Sequence, residues 1–279
     1  MNTPWASQPE PGRSPWANPP PSPVAPAASA TRPSLLFAAI VAAAGAFGWL
    51  TWSAPNLLDR RWAVFGFVAC MWVVSLCIHE FAHAVVAFLG GDRSVVAKGY
   101  LTLDPRRYTE PVLSIVMPLV FLMLGGIGLP GGAVWINRGA IRSPIMQSLM
   151  SLAGPAASVG VGIVLGVPFI LFPDTVLEHG AFASALAFLV ALQFTSAALN
   201  LLPVPGLDGY GVIEPHLPAD VRASLDRLRP VAFIMLFVLL WNVPQAWRVI
   251  WGPATRAMEA MQVPNGLAGL GLELFRFWR

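Results

Sequence analysis

The sequence contains a His-Glu-x-x-His motif at 79–83, within the apolar run 62–89. On an α-helix, side chains four residues apart lie on one face, so His79 and His83 can bind the same metal ion. Glu80 lies beside them, where a carboxylate can accept a proton from a water molecule at the metal without binding the metal itself. The motif therefore predicts half of a hydrolytic zinc site.

Both the composition of the chain and the position of the motif argue against a chance occurrence. The chain has only four histidines and 14 acidic residues, so a chance occurrence is expected in on the order of one in a thousand sequences of this composition. The preceding residues, 64–74, are typical of a membrane-spanning helix, where each ionisable side chain costs several kcal/mol. Three such side chains in that setting indicate a function.

A catalytic zinc site usually takes three protein ligands and leaves a fourth position for water. Asp208 is the favoured third ligand, because it lies within the run 200–209, where two prolines and two glycines break an apolar helix at membrane depth. Broken backbone at that depth is tolerated where protein or a watery cavity satisfies its polar groups. Taken alone, an Asp before Gly is more typical of a turn. The other candidates are Asp174, Glu178, His179, Glu214 and His216.

Composition identifies an integral membrane protein. Hydrophobic residues make up 56% of the chain and charged residues 11%, against roughly 25% charged in soluble domains. The 17 basic residues lie mostly in short loops, which favours contact with anionic lipid headgroups and excludes nucleic acid as the expected partner.

We expect two regions along the chain. Residues 1–33 are rich in Pro, Ala and Ser and predict a disordered tail. Residues 34–279 predict one all-α, polytopic transmembrane domain with its core at 62–209. It has six hydrophobic segments, five of them long enough to span a bilayer: 35–52, 62–89, 112–129, 145–172, 181–202 and 231–251.

The third segment, 112–129, contains Pro118 and Gly125-Gly126, and a full crossing would separate its two flanking basic loops. If the segment is re-entrant, both loops lie in the cytoplasm. That arrangement predicts a multi-pass protein of the cell membrane with its active site toward the cytoplasm. Arg60-Arg61 would then lie outside, against the rule.

The loop residues 95–103 are short and β-prone. They favour a small β element in the cytoplasmic loops, paired with 133–136, that could present an edge to an extended peptide. A plain connecting loop is an equally good interpretation.

The combination of His79-Glu80-x-x-His83 with Asn200-x-x-Pro203-x-x-x-x-Asp208-Gly209 resembles the site-2 protease family of intramembrane zinc metalloproteases. The Ala-Gly-Pro at 153–155 and the loop 131–134 are also similar to that family.

The resemblance implies a transmembrane protein or peptide as substrate. It also implies one Zn²⁺ per chain, bound by His79, His83 and Asp208, with Glu80 as the catalytic base. Asn200 would position the substrate or stabilise the oxyanion. Ser158 stands where many relatives have Asn, and we expect it to serve helix packing.

Two other functions fit parts of the pattern. A membrane cation transporter or metal-binding protein could use the same histidines and aspartate, but it would not need Glu80 beside them. An inactive scaffold of the same fold would be expected to lack Glu80 or a ligand, and all are present.

Overall fold

The computed structural model describes residues 32–54, 56, 61–108, 122–123 and 134–278. The helices of this part of the chain are α1 (Leu35–Trp52), α2 (Arg61–Gly90), α3 (Ser94–Ala97), α4 (Pro144–Leu171), α5 (Pro173–Glu178), α6 (Gly180–Asn200), α7 (Asp208–Ile213), α8 (Ala219–Asn242), α9 (Trp247–Ala260) and α10 (Leu267–Phe275). Helices α1, α2, α4 and α6 are long and apolar enough to cross a membrane. They correspond to four of the six predicted segments.

Helix α6 is the centre of the bundle. Almost all of its side chains are buried, and it packs against α2, α4, α9 and α10. Its abundant alanines allow this, because small side chains let neighbouring helices approach closely. Helix α2 lies between α1, α4 and α6, so the middle of the His-Glu-x-x-His helix is enclosed by protein.

Helices α1 and α4 each start at a serine. The Ser34 hydroxyl accepts a hydrogen bond from the amide of Phe37 at 3.0 Å, and the Ser143 hydroxyl accepts one from the amide of Met146 at 3.2 Å. Both serines satisfy amides that the first turn of a helix leaves unpaired. Pro144 follows at the first helical position, where its missing N–H is not needed.

Two expectations about the architecture are corrected. The described residues form no β-strand, because 95–103 is occupied by α3 and by the 3-10 turn Tyr100–Thr102. Gly99 and Leu103, on either side of this turn, have φ of +75° and +55°, values that an extended strand does not take. Residues 134–137 belong to neither a helix nor a strand.

The predicted segment 231–251 is not one helix. Helix α8 ends at Asn242, and a 3-10 turn at Pro244–Ala246 leads into α9. Pro244 explains the break, because a proline disfavours helical backbone at the residue before it. The third segment, 112–129, lies outside the described residues except for Leu122 and Met123, and the tail 1–33 lies outside them except for its last two residues.

Candidate metal centre

Helix α2 places both histidines of the motif in the protein interior. His79 and His83 lie one helical turn apart, and their Nε2 atoms are 3.1 Å from each other. Only 6% and 5% of their respective surfaces are exposed. Two imidazole nitrogens that converge inside an apolar bundle form an arrangement suited to a cation.

Asp208 joins the pair from the other side. Its carboxylate oxygens lie 3.2 Å from His79 Nε2 and 3.4 Å from His83 Nε2. One oxygen or nitrogen of each of the three residues falls within 4.8 Å of the others. Burial would raise the pKa of the Asp208 carboxyl, but the adjacent histidines lower this pKa to well below its ordinary range, so the group is an anion.

The loop between α6 and α7 places Asp208 beside the histidines. Helix α6 ends at Asn200, and the backbone turns through Gly206, whose φ of +105° is accessible mainly to glycine. Buried Leu207 then anchors the start of α7, of which Asp208 is the first residue.

The alternative third ligands have other surroundings. Glu214 forms an ion pair with Arg138 at 3.3 Å, and His216 contacts the Ser148 hydroxyl at 3.0 Å. At the opposite end of the bundle, Asp174 and Glu178 are exposed. There the Nδ1 atom of His179 lies 2.8 Å from the Trp52 carbonyl oxygen. None of these five residues joins the cluster of His79, His83 and Asp208.

Helix α4 supports the outer nitrogen of each histidine in the cluster. His83 Nδ1 lies 2.7 Å from the carbonyl oxygen of Met150, and His79 Nδ1 lies 3.0 Å from the hydroxyl of Ser158. The sequence alone led us to expect that Ser158 only packs helices. Its contact with His79 is an additional feature. Met150 has no sequence signal as a partner, because the contact uses its backbone.

Gly154 of the Ala-Gly-Pro motif leaves the space that an ion would need. A Cβ atom at this position would lie 2.2 Å from His83 Nε2 and 2.5 Å from His79 Nε2. The cradle thus consists of two imidazole nitrogens and a carboxylate beside a position without a side chain. This donor set fits Zn²⁺, which binds nitrogen and carboxylate oxygen and keeps an open position in catalytic sites.

A cavity of about 550 Å³ opens beside the cluster. Glu80, with 3% of its surface exposed, lines the cavity next to the histidines and faces the backbone amide of Val134. Asn200 also lines it, from the last turn of α6. The cavity brings together the five residues that the sequence analysis selected.

The cavity wall also holds three charged residues that the sequence analysis did not select for the site: Arg138, Asp226 and Arg229. Arg138 approaches Glu214, and it also donates a hydrogen bond to the Ser151 hydroxyl at 3.3 Å. Asp226 and Arg229 form a further pair at 3.2 Å. Arg138 and Glu214 lie 76 positions apart in sequence, so no local pattern predicts their proximity.

The chain is similar to several known proteins. A protein of Mycobacterium tuberculosis named "Putative zinc metalloprotease Rip2" is 39% identical over 251 residues, which cover 88% of this chain and 95% of the relative. The protein of the same name from Mycolicibacterium smegmatis is 38% identical over 257 residues, 91% of this chain and 98% of the relative. A Bacillus subtilis protein named "Putative zinc metalloprotease YwhC" is 32% identical over 191 residues, which cover 64% of this chain and 81% of the relative. No family model and no solved structure matches the chain.

Proposed function

The chain belongs to the site-2 protease family of zinc metalloproteases, and from this premise we propose that it is an intramembrane endopeptidase that cleaves membrane-spanning proteins. One observation carries the proposal. Glu80 lies beside the convergent cluster of His79, His83 and Asp208. Both histidines and Glu80 lie on α2, a helix of membrane-spanning length. A cation transporter has no use for a buried carboxylate beside the ligands, so the alternative is not favoured.

His79, His83 and Asp208 would hold one Zn²⁺ per chain. When bound, the ion supplies Lewis-acid activation of water and of the substrate carbonyl. The chain itself supplies the proton transfers: Glu80 accepts a proton from the attacking water and later donates it to the leaving amine. Asn200, with 2% of its surface exposed, presents a carboxamide to the same cavity and would hydrogen-bond the substrate carbonyl.

The cavity geometry supports an extended substrate. A helix buries its carbonyls in hydrogen bonds, so a membrane-spanning substrate must unwind before attack. Val134, Trp135 and Ile136 line the cavity beside Glu80, where an unwound peptide would lie against them. We infer that substrates with weak helices, rich in residues such as Gly and Pro, are preferred.

The orientation is also a proposal. The start of α1 contacts the loop after α2 through the hydrogen bond from the Ser34 amide to the Thr102 carbonyl. This places the start of α1 at the site end of the bundle. Basic side chains are concentrated at that end: Arg93, Lys98, Arg106, Arg107, Arg138, Arg142 and Arg229. The positive-inside rule then favours a cytoplasmic site end in the cell membrane, with lipids against the exposed apolar faces of α1 and α4.

Cysteine labelling tests the orientation. In a background with Cys70 and Cys77 replaced by alanine, single cysteines near Arg106 and Arg138 should react only from the cytoplasmic side, and one near Glu178 only from outside. Labelling near Arg106 and Arg138 only from outside would show that the protein has the opposite orientation in the membrane.

Cleavage is tested with purified protein and a panel of single-span substrates, with and without a chelator. The expected result is chelator-sensitive cleavage that Glu80→Gln abolishes. Cleavage that survives both treatments would refute the assignment.

A further inference from the structure

His79 and His83 are held by different kinds of group, and the difference has a chemical consequence. The Met150 carbonyl can only accept a hydrogen bond, so its 2.7 Å contact requires a proton on His83 Nδ1 and leaves Nε2 free to bind a cation. The Ser158 hydroxyl, 3.0 Å from His79 Nδ1, can donate or accept. His79 therefore has two possible tautomers, and only the one that donates from Nδ1 leaves Nε2 free.

Ser158 lies where no bulk water can replace it. It is 4% exposed on α4, and it borders a cavity of only about 10 Å³ between α2, α4 and α6. Two other polar residues of this cavity hydrogen-bond to each other: Gln193 Nε2 donates to the Ser75 hydroxyl at 2.9 Å, and that hydroxyl donates to the Trp72 carbonyl at 2.8 Å. Trp72 Nε1 is buried there as well and can only donate.

Among the described residues, the Ser158 hydroxyl is the hydrogen-bond partner of His79 Nδ1, so without it a proton on Nδ1 would lose its acceptor in this enclosed place. A buried donor without a partner is costly, whereas the tautomer with a bare Nδ1 does not incur that cost. Loss of the hydroxyl would thus shift His79 toward the tautomer whose Nε2 is protonated and cannot bind a metal ion. The same loss would leave His83 unchanged, because its partner is a backbone carbonyl.

We propose that Ser158 is a positioning residue that accepts the hydrogen bond of His79 Nδ1 and so selects the metal-binding tautomer of that histidine. The inference rests on the zinc site of the proposed function. It gives α4 a second task beside supplying Gly154, because the helix sets the orientation of both imidazoles from Met150 and Ser158, which lie about two turns apart.

Zinc affinity measured by competition with a chromophoric chelator tests this role without any substrate. We expect Ser158→Ala to bind zinc about 10- to 100-fold more weakly than the unsubstituted full-length protein. Ser158→Thr keeps the hydroxyl and should restore most of the affinity. Ser184→Ala is the matched control, because Ser184 is a buried helical serine that donates only to the Gly180 carbonyl of its own helix.

The cobalt-substituted protein provides a second measurement. Its visible absorption reports ligand geometry, and we expect Ser158→Ala to change the spectrum while Ser184→Ala does not. Unchanged zinc affinity in Ser158→Ala, an equal loss in Ser184→Ala, or no recovery in Ser158→Thr would overturn the proposal. If the unsubstituted protein bound zinc and Ser158→Ala weakened it, but no substrate were cleaved, the proposal would stand and the protease function would fail.

Discussion

The two ends of the bundle each hold histidine among apolar neighbours, and they use it differently. At the site end, the Nε2 atoms of His79 and His83 converge on each other and on Asp208. At the opposite end, the His179 ring stacks on Trp52 with centroids 3.7 Å apart, and its Nδ1 contacts the Trp52 carbonyl. An imidazole is a candidate metal ligand when its free nitrogen lies close to other atoms that can bind a metal ion. It has a structural role when it stacks on a ring and contacts a carbonyl.

The carboxylates follow the same division. At the site end, Glu80 is buried and Asp208 is partly buried beside histidine nitrogen atoms, whereas Asp174 and Glu178 at the other end are exposed. Burial next to a partner is what gives the first pair a chemical role. Substitutions at either end test this comparison. Those at the site end should change zinc binding and cleavage far more strongly than those at the opposite end.

The largest expected effect is that of Glu80→Gln. The amide keeps the shape of the side chain but cannot accept a proton from water, so cleavage should fall by about 10²- to 10⁴-fold. Zinc content should stay near that of the unsubstituted protein, because Glu80 is not a ligand. Rates on a single-span substrate and metal analysis of the same sample would establish this, and undiminished cleavage would remove Glu80 from the mechanism.

His83→Ala should reduce zinc affinity by more than about 100-fold, because it deletes one of three ligands. Asp208→Ala should act in the same direction. The matched control is His179→Ala at the opposite end, which should leave zinc affinity unchanged. Chelator competition on all three variants compares them directly. Full zinc occupancy in Asp208→Ala would return attention to Glu214 or His216.

Gly154→Ala should also weaken zinc binding, since the new methyl group would lie within 3 Å of both Nε2 atoms and must displace an imidazole. Gly160→Ala on the same helix is its control, because a Cβ there meets no atom within 4 Å. We expect the control to bind zinc normally. Equal zinc affinity in the two variants would show that α4 does not crowd the site.

The smallest expected effect is that of His179→Phe. The ring can still stack on Trp52, but the hydrogen bond to the Trp52 carbonyl is lost, which costs about 1 kcal/mol and lowers the melting temperature by a few degrees. Zinc affinity should not change. A large loss of zinc affinity would mean that the two ends are coupled through the bundle, contrary to the comparison.

The local patterns of the sequence predicted four of the long helices well. The bounds of α1 match the predicted segment, and those of α2, α4 and α6 differ from the predictions by one or two residues, because long apolar runs leave the backbone few alternatives in a membrane. The strand at 95–103 was a wrong prediction. β-branched residues indicate a strand only weakly, and here the Asp92 carboxylate accepts a hydrogen bond from the Ser94 amide at 2.9 Å and caps a helical turn instead.

The sequence by itself determined the chemistry that His79, Glu80 and His83 can perform, because residues on one helix have a fixed spacing and a shared face. It also made Asp208 the favoured partner among six candidates. Only the tertiary structure decided that Asp208 meets the histidines, that Glu214 pairs with Arg138, and that Ser158 and the Met150 carbonyl hold the imidazoles. These contacts join residues that lie 67 to 129 positions apart in the chain, and a distance between such residues depends on how the helices pack, which no local spacing records.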